Sequence, residues 1–359
     1  MEIEIPIGSF RTDPSQSWWD LPSWGHPLSQ GVFPLFLSLD SRLIPIGTAF
    51  AVGRGIAFVI SAEHNIRETL NHEQRLRHLR TVDELPEVVT FKDVGLSVLY
   101  QRWSNEAKTE IQFALWPLET FAGAPPSDVV FGSPQFQTVV PTLDLPLCFE
   151  APPQGERVWS IGYTDFKFPE GGIELEAVDA GTFDWRNDYG HRFVVVEGRV
   201  DRIFANRFAS KFVDGPCFTF DADIFHGQSG GPVLDTTGRV RGVNSAGASQ
   251  FFARPMSIAS FLYPVLFQNL QTGAQLGPTR VQITQPIFKW IVGGYITTDG
   301  SEARLCLSRE GDSFTVGFSA PKSFAAFVHD DFAGYQRGAS ASEVLGVNYR
   351  LRRNKSKPK

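Results

Sequence analysis

The chain has few of the residues that cross-link small secreted proteins or anchor proteins in membranes. Among its 359 residues are only three cysteines, Cys148, Cys217 and Cys306. This odd, widely spaced set indicates neither a disulfide framework nor a metal site. No stretch approaches the ~20 continuous apolar residues that span a bilayer, and the opening MEIEIPIGSF lacks the basic start and apolar run of a secretory signal. We therefore expect a cytoplasmic protein that uses no membrane, metal or cofactor.

The chain also lacks an excess of positive charge. Its 33 Lys and Arg are outnumbered by 39 Asp and Glu, which gives a net charge of −6. A protein that binds nucleic acid usually carries a basic face, so we expect no nucleic-acid partner. Only the final RLRRNKSKPK is basic, and we interpret residues 351–359 as a solvated tail.

Short apolar runs separated by turn residues fill most of the chain. Runs such as FPLFLSL, GTAFAVG, ERVWSIGY and GIELEAVDAGTF are rich in β-branched and aromatic residues and are bounded by Gly, Pro, Asp or Ser. This pattern is typical of an all-β barrel or sandwich. The sequence DTTGR predicts a hairpin turn, and IRETLNHEQRLRHLRTV is the one plausible helix in the first half.

The chain is too long for one typical domain of roughly 100–200 residues. Residues 1–30, rich in Pro, Ser and Trp, predict an N-terminal extension wrapped on the surface. The main β-rich domain covers residues 31–270. After a linker-like AQLGPT, the alternating runs EARLCLSRE and SFTVGFS predict a small β-rich C-terminal appendage over residues 276–350.

One stretch, DADIFHGQSGGPVLD (221–235), carries the chemistry. A serine hydroxyl attacks a carbonyl effectively only if the resulting oxyanion is stabilised. Gly227 can turn its N–H toward that oxygen without steric cost, because it has no Cβ, and the N–H of Ser229 supplies a second donor. The glycines at 230 and 231 allow close approach of a substrate and a neighbouring strand. Alone, the motif could also be a glycine-rich turn.

The segment GQSGGPV resembles the nucleophile loop of trypsin-like serine proteases, which pair the serine with a histidine and an aspartate. The resemblance implies a histidine at a strand end after GTxF, and GTAFAVGRGIAFVISAEHNI places His64 there. Ser61 and Glu63 stand where that family more often has Thr and Ala. The implied aspartate is Asp128 in PPSDVVFG, followed by LDLPLCFEAPPQGERVWSIGYTD. Asp93 in FKDVGLSVLY is the competing candidate.

The resemblance covers roughly residues 31–270 and is closest to compact bacterial proteases related to the high-temperature-requirement type. It implies a mainly β fold of two six-stranded antiparallel barrels, with the active site in the cleft between them. It further implies a serine endopeptidase that forms an acyl-enzyme on a protein or peptide substrate. The alternative function is a silent trypsin fold that serves as a binding or scaffolding module. An active protease inside a cell would need regulation, which predicts a regulatory partner or a regulatory role for the added segments.

Substrate preference depends on Asp223, six positions before the serine. In the trypsin branch, an aspartate at this spacing pairs with substrate Arg or Lys, and Asp221 would then serve the fold. The alternatives are that Asp223 caps a solvent-facing turn, or that Ile224 and Phe225 close the pocket around small apolar side chains. The opposite pocket wall is expected to offer backbone groups to an extended substrate from Ser245, Ala246 and Gly247.

A second sequence, KWIVGGYITTDG (289–300), contains the IVGGY found at the new N-terminus of activated digestive trypsins. There it precedes the catalytic histidine, whereas here it follows the serine. We therefore predict a strand with a glycine bulge and no activation by cleavage at this place.

Overall fold

The protein is described here by a computed structural model that covers most of the sequence. The described residues are 7–54, 56–66, 89–90, 95–103, 111–123, 127–134, 143–204, 213, 215–249, 252–276, 279–310, 313–319 and 344–350. Within these ranges, every helix is too short or too polar to cross a membrane. Residues 63–66 form a helical turn, and the remainder of the predicted helix IRETLNHEQRLRHLRTV lies outside the described residues.

Residues 7–30 contain one short strand and two short helices. Strand β1 (Trp18–Leu21) lies between two 3-10 helices, Ile7–Phe10 and Pro27–Gln30. Trp19 is buried in the largest core, and its Nε1–H donates to the Ile7 carbonyl at 3.0 Å. Trp19, Leu21 and Leu28 thus belong to the core, whereas residues 12–17 are exposed.

The first barrel is an antiparallel sheet that closes on itself. The described strands of this sheet are β2 (Val32–Leu39), β3 (Arg42–Val52), β4 (Phe58–Ser61), β5 (Val89–Thr90), β6 (Gly95–Trp103), β7 (Ile111–Gly123), β8 (Val130–Pro134) and β10 (Ile173–Glu174). Six of them follow the order β3-β2-β6-β7-β8-β4, and β4 pairs back to β3. Alternate residues of β2, such as Phe33, Leu35 and Leu37, fill the interior.

The second barrel closes in the same way. Its strands are β9 (Arg157–Lys167), β11 (Gly190–Phe204), β12 (Cys217–Phe220), β13 (Pro232–Asp235), β14 (Val240–Gly247) and β15 (Ser257–Ser260). The order is β11-β12-β15-β14-β13-β9, and β9 pairs back to β11. Strand β1 adds to β11 outside this circuit. The predicted fold class, mainly β with two antiparallel barrels, is confirmed.

Two runs differ from their predicted structure. GIELEAVDAGTF forms only the short β10 and then helix α1 (Leu175–Asp179), because Leu175 and Val178, three residues apart, pack together against one aromatic cluster. Of the expected linker AQLGPT, residues 274–276 belong instead to β16 (Asn269–Leu276), and Thr279 begins its antiparallel partner β17 (Thr279–Pro286).

Only Ile291 and Val292 of the IVGGY sequence are helical, and residues 293–295 form a turn after the helix, so the interpretation as a bulged strand is wrong. Helix α2 (Ile287–Val292) buries Ile287, Trp290 and Ile291, which share one helical face. It ends where the N–H of Gly293 donates to the Lys289 carbonyl. Farther on, β18 (Leu305–Glu310), β19 (Ser313–Ser319) and β20 (Val344–Arg350) form a separate antiparallel sheet, and the first two are the strands predicted for the appendage.

Residues 287–303, the C-terminal strap, pack against both barrels. The Trp290 ring lies 5.3 Å from the Phe58 ring of the first barrel. The N–H of Leu147 donates to the carbonyl of Thr297, and Asp299 forms an ion pair with Arg239 at the hairpin of the second barrel. The first part of the predicted appendage therefore completes the main domain.

Candidate active site

His64 and Asp128 are brought together by two neighbouring strands. His64 follows the end of β4, and Asp128 precedes the start of β8. These strands are antiparallel partners, with Ser61 opposite Val130, so the end of one lies beside the start of the other. The Asp128 carboxylate lies 2.9 Å from His64 Nδ1 and also accepts the His64 backbone N–H at 2.9 Å. The competing Asp93 lies outside the described residues.

This arrangement fixes the tautomer of the histidine. The Asp128 side chain is 6% exposed and that of His64 is 30% exposed. An ionised carboxylate only accepts hydrogen bonds, so Nδ1 must carry the hydrogen that it donates to Asp128. The neutral ring then presents Nε2 as an acceptor, which is the form that a general base requires.

Ser229 lies in a loop between β12 and β13 whose backbone requires glycine. Gly227 has φ +96°, and a Cβ there would come within 2.8 Å of the Tyr163 carbonyl oxygen. Gly230 has φ +90°, and a Cβ on it would overlap the Thr48 carbonyl oxygen. Both positions therefore exclude larger residues, by backbone conformation as well as by space.

The loop leaves two amides available. In the described part of the chain, neither the N–H of Gly227 nor that of Ser229 donates to a backbone or side-chain acceptor, whereas the N–H groups of Gln228, Gly230 and Gly231 all do. The Ser229 hydroxyl lies 3.3 Å from the Ser245 carbonyl oxygen, to which it donates. Two unsatisfied donors beside a hydroxyl are what a site that stabilises an oxyanion needs.

Thr48 and Asn65, which sequence reasoning missed, tie this loop to the first barrel. The Ser229 carbonyl accepts from the Thr48 N–H at 2.9 Å and from Asn65 Nδ2 at 3.1 Å. The Thr48 hydroxyl donates to the Gly227 carbonyl at 2.7 Å and accepts from the Tyr163 N–H at 2.9 Å. Thr48 is the threonine of GTAF and Asn65 directly follows His64, so both stand inside recognised motifs without a distinguishing signal of their own.

The two aspartates before the serine have different surroundings. Asp221 accepts the Arg199 N–H at 2.5 Å and thereby joins the loop to β11. Asp223 is exposed and accepts from the Ser249 hydroxyl. Because Ser249 follows Gly247 by two residues, Asp223 lies beside the segment expected to form the opposite pocket wall.

The expected wall residues occupy the end of β14. Ser245 is buried, with its hydroxyl 2.7 Å from that of Ser260, whereas Ala246 is half-buried and Gly247 is exposed. A Cβ on Gly247 would meet no other atom within 4 Å. The wall is therefore open to an incoming chain at its far end.

Ile224 and Phe225 pack against the protein itself. Both contact the largest core, and the Phe225 ring meets the Trp18 ring edge-on at 5.5 Å between centroids. The Ile224 N–H donates to the hydroxyl of Ser257 at 3.1 Å. Their side chains are thus engaged by the second barrel and β1.

A family of known proteins, described as the trypsin-like peptidase domain, matches residues 47–243. That stretch is more than half of the chain and contains His64, Asp128 and Ser229. The chain belongs to the trypsin-like peptidase family. The match begins after β1 and ends before the C-terminal strap, so both elements lie outside the matched part of this trypsin-like peptidase.

Two solved structures are similar to this trypsin-like peptidase. The Rv3671c protease from M. tuberculosis, in its active form, is 15% identical with a TM-score of 0.39, over 67% of this chain and 79% of that one. The MamO protease domain from Magnetospirillum magneticum is also 15% identical with a TM-score of 0.37, over 65% of this chain and 93% of that one. No curated protein sequence matches the chain. The family assignment therefore rests on the family match.

Proposed function

We propose that the protein is a serine endopeptidase that hydrolyses peptide bonds through an acyl-enzyme. Ser229 is the nucleophile, His64 the general base and Asp128 the residue that orients it. The observation that carries the proposal is the distance of 2.9 Å between the Asp128 carboxylate and His64 Nδ1. Asn65, the residue after His64, donates a hydrogen bond to the Ser229 carbonyl.

Each step of the proposed reaction uses a group already described. His64 Nε2 takes the hydroxyl proton of Ser229 as the oxygen attacks the substrate carbonyl, and Asp128 stabilises the charged ring. The available N–H groups of Gly227 and Ser229 bind the resulting oxyanion. Protonated His64 then gives its proton to the leaving amine, and water hydrolyses the ester by the same sequence.

Covalent labelling tests the proposed nucleophile. We expect a fluorophosphonate probe to label the wild-type protein and not the Ser229→Ala variant. Ser133→Ala is the control, because Ser133 is a buried serine on β8 whose hydroxyl donates to the Thr272 hydroxyl at 2.7 Å. This control should label like the wild type. A folded wild type that remains unlabelled, or labels equally after Ser229→Ala, would favour the alternative of a silent binding module.

We further propose that Asp223 gives a preference for Arg or Lys before the cleaved bond. The carboxylate is exposed and held beside the segment that follows Gly247, which supports a place in the pocket. Ile224 and Phe225 are engaged elsewhere, which argues against a pocket closed by them. A guanidinium or ammonium group would form a charge-assisted hydrogen bond, roughly twice as strong as a neutral one.

A peptide-library profile tests this preference. Asp223→Ser should reduce cleavage after Arg and Lys by about tenfold or more relative to other residues, because one charge-assisted contact is lost. Asp179→Ser, at an exposed aspartate on α1, is the control and should leave the profile unchanged. Wild-type cleavage after Val or Ala, with Arg and Lys ignored, would show that Asp223 does not line the pocket.

A further inference from the structure

The residues that present the two free amides, 225–229, form the oxyanion segment. The inference below rests on the proposed function, because it concerns how this segment is kept ready for reaction. An amide stabilises an oxyanion only if it is already aimed at the place where the charge develops. What holds the segment therefore decides how fast the proposed reaction runs.

Gln228 holds the segment from the inside. Its side chain is fully buried, and its Oε1 accepts the Phe225 N–H at 2.7 Å while its Nε2 donates to the Val194 carbonyl of β11 at 3.3 Å. The Gln228 N–H also donates to the Phe225 carbonyl at 3.1 Å. One neutral side chain thus joins the start of the segment to its own end and to the barrel wall.

Trp18 holds the same segment from the outside. Its ring contacts the Phe225 ring, and the Arg192 guanidinium lies over both rings, at 5.1 Å and 5.8 Å from their centroids. Arg192 is itself fixed by ion pairs to Asp20 of β1 and to Asp165. Both contacts on Phe225 depend on β1, whose Asp20 lies opposite Val194 of β11 in the sheet.

We propose that Gln228 and Trp18 are positioning residues that clamp the oxyanion segment from its two sides, so that β1 is part of the catalytic apparatus although it lies outside the matched family stretch. Both sides of the clamp act on one residue, Phe225. The buried Gln228 side chain accepts its N–H, and the Trp18 ring contacts its ring. Neither residue needs to touch substrate. The N-terminal strand then controls the rate of acylation through the geometry of the Gly227 and Ser229 amides.

Kinetics separate this role from a purely structural one. Gln228→Met removes both side-chain hydrogen bonds but keeps an unbranched buried chain, and it should lower kcat and the fluorophosphonate labelling rate about a hundredfold, as loss of an oxyanion donor does. Trp18→Leu, at a half-buried surface position, should lower them about three- to tenfold. In both variants KM should change by less than about twofold, since ground-state contacts are kept.

Trp24→Leu is the matched control for the outer contact. Trp24 is also a half-buried aromatic residue, and its ring packs on Phe113, Tyr189 and His191, away from the oxyanion segment. This variant should keep the wild-type labelling rate. Equal losses for Trp18→Leu and Trp24→Leu, or losses that appear in KM rather than kcat, would overturn the proposal.

Amide hydrogen exchange gives a readout that does not require activity. Exchange of peptides covering residues 222–231 should speed up in Gln228→Met and Trp18→Leu, and should not change in Trp24→Leu. Unchanged exchange in the first two would overturn the clamp even if the wild type is an active protease. A wild type that resists labelling but shows the expected exchange pattern would overturn the proposed function and support the clamp.

Discussion

The two barrels hold their halves of the site by different means. In the first barrel, one side chain fixes another. The Asp128 carboxylate accepts hydrogen bonds from both the backbone N–H and the ring Nδ1–H of His64. In the second barrel, glycine geometry and buried neutral groups fix a stretch of backbone, and Ser229 contributes an amide as well as its hydroxyl. Proton transfer requires a defined tautomer, whereas oxyanion binding requires a defined peptide orientation. Each half therefore suits the step that we propose for it.

This comparison predicts that polar substitutions damage the first half most and steric ones the second. Asp128→Asn keeps an oxygen for the His64 N–H, but its NH₂ group favours the wrong ring tautomer. We expect the labelling rate to fall about 10⁴-fold, as this change does in a serine protease triad, without loss of folding. Labelling kinetics with circular dichroism would check it, and a loss under about tenfold would contradict the assignment of Asp128.

The second half should be most sensitive to a single added methyl group. Gly227→Ala places a Cβ against Tyr163 and Phe166 at a φ of +96°. The amide must then turn away, and labelling should fall about a hundredfold. Gly238→Ala is the control, because Gly238 has φ +81° in a hairpin turn with open space around it. If both variants lose labelling alike, backbone strain rather than the direction of the amide is responsible.

The comparison extends to two histidines with opposite surroundings. His191 is buried against Trp24 and Tyr163, and burial lowers its pKa to about 3, whereas His64 is partly exposed. Between pH 7 and pH 5 the unfolded chain gains a proton at this residue and the folded chain does not, so the free energy of unfolding falls. The contribution at pH 5 is about 2 kcal/mol.

Urea unfolding at the two pH values measures this term. His191→Gln should reduce the loss of stability between pH 7 and pH 5 by about 2 kcal/mol, because glutamine does not titrate. An identical pH dependence in wild type and His191→Gln would show that His191 is not kept neutral by the fold.

Local motifs and long-range pairing differ in how well they can be predicted from sequence. The loop of Ser229 can be recognised because its glycines and the serine lie within five consecutive residues, GQSGG (227–231), and most strands can be recognised from their alternation. Asp128 is less so, since its place depends on β4 pairing with β8. Thr48, Asn65 and Gln228 were missed because the hydrogen bonds described above join them to backbone groups, and such contacts leave no pattern in the sequence.

Two further errors came from short apolar runs. The run IFKWIV fits a buried helix as well as a strand over so few residues, and only its packing on Phe58 decides between them. The four residues of β1 show no sustained alternation, and their partner β11 is remote in the chain. Tertiary context overrides local preference in both cases.

The C-terminal strap also sets the order in which a newly made chain can finish folding. Ile287 and Trp290 belong to the same core as Val194 and Phe220 of the second barrel, and the Arg54 N–H donates to the carbonyl of Tyr295. A ribosome adds residues from the N-terminus onward. While residues beyond 287 are still missing, the growing chain has an incomplete core although it already contains His64, Asp128 and Ser229. Completion of the scaffold therefore waits until the C-terminal strap has been made, after all three of these residues.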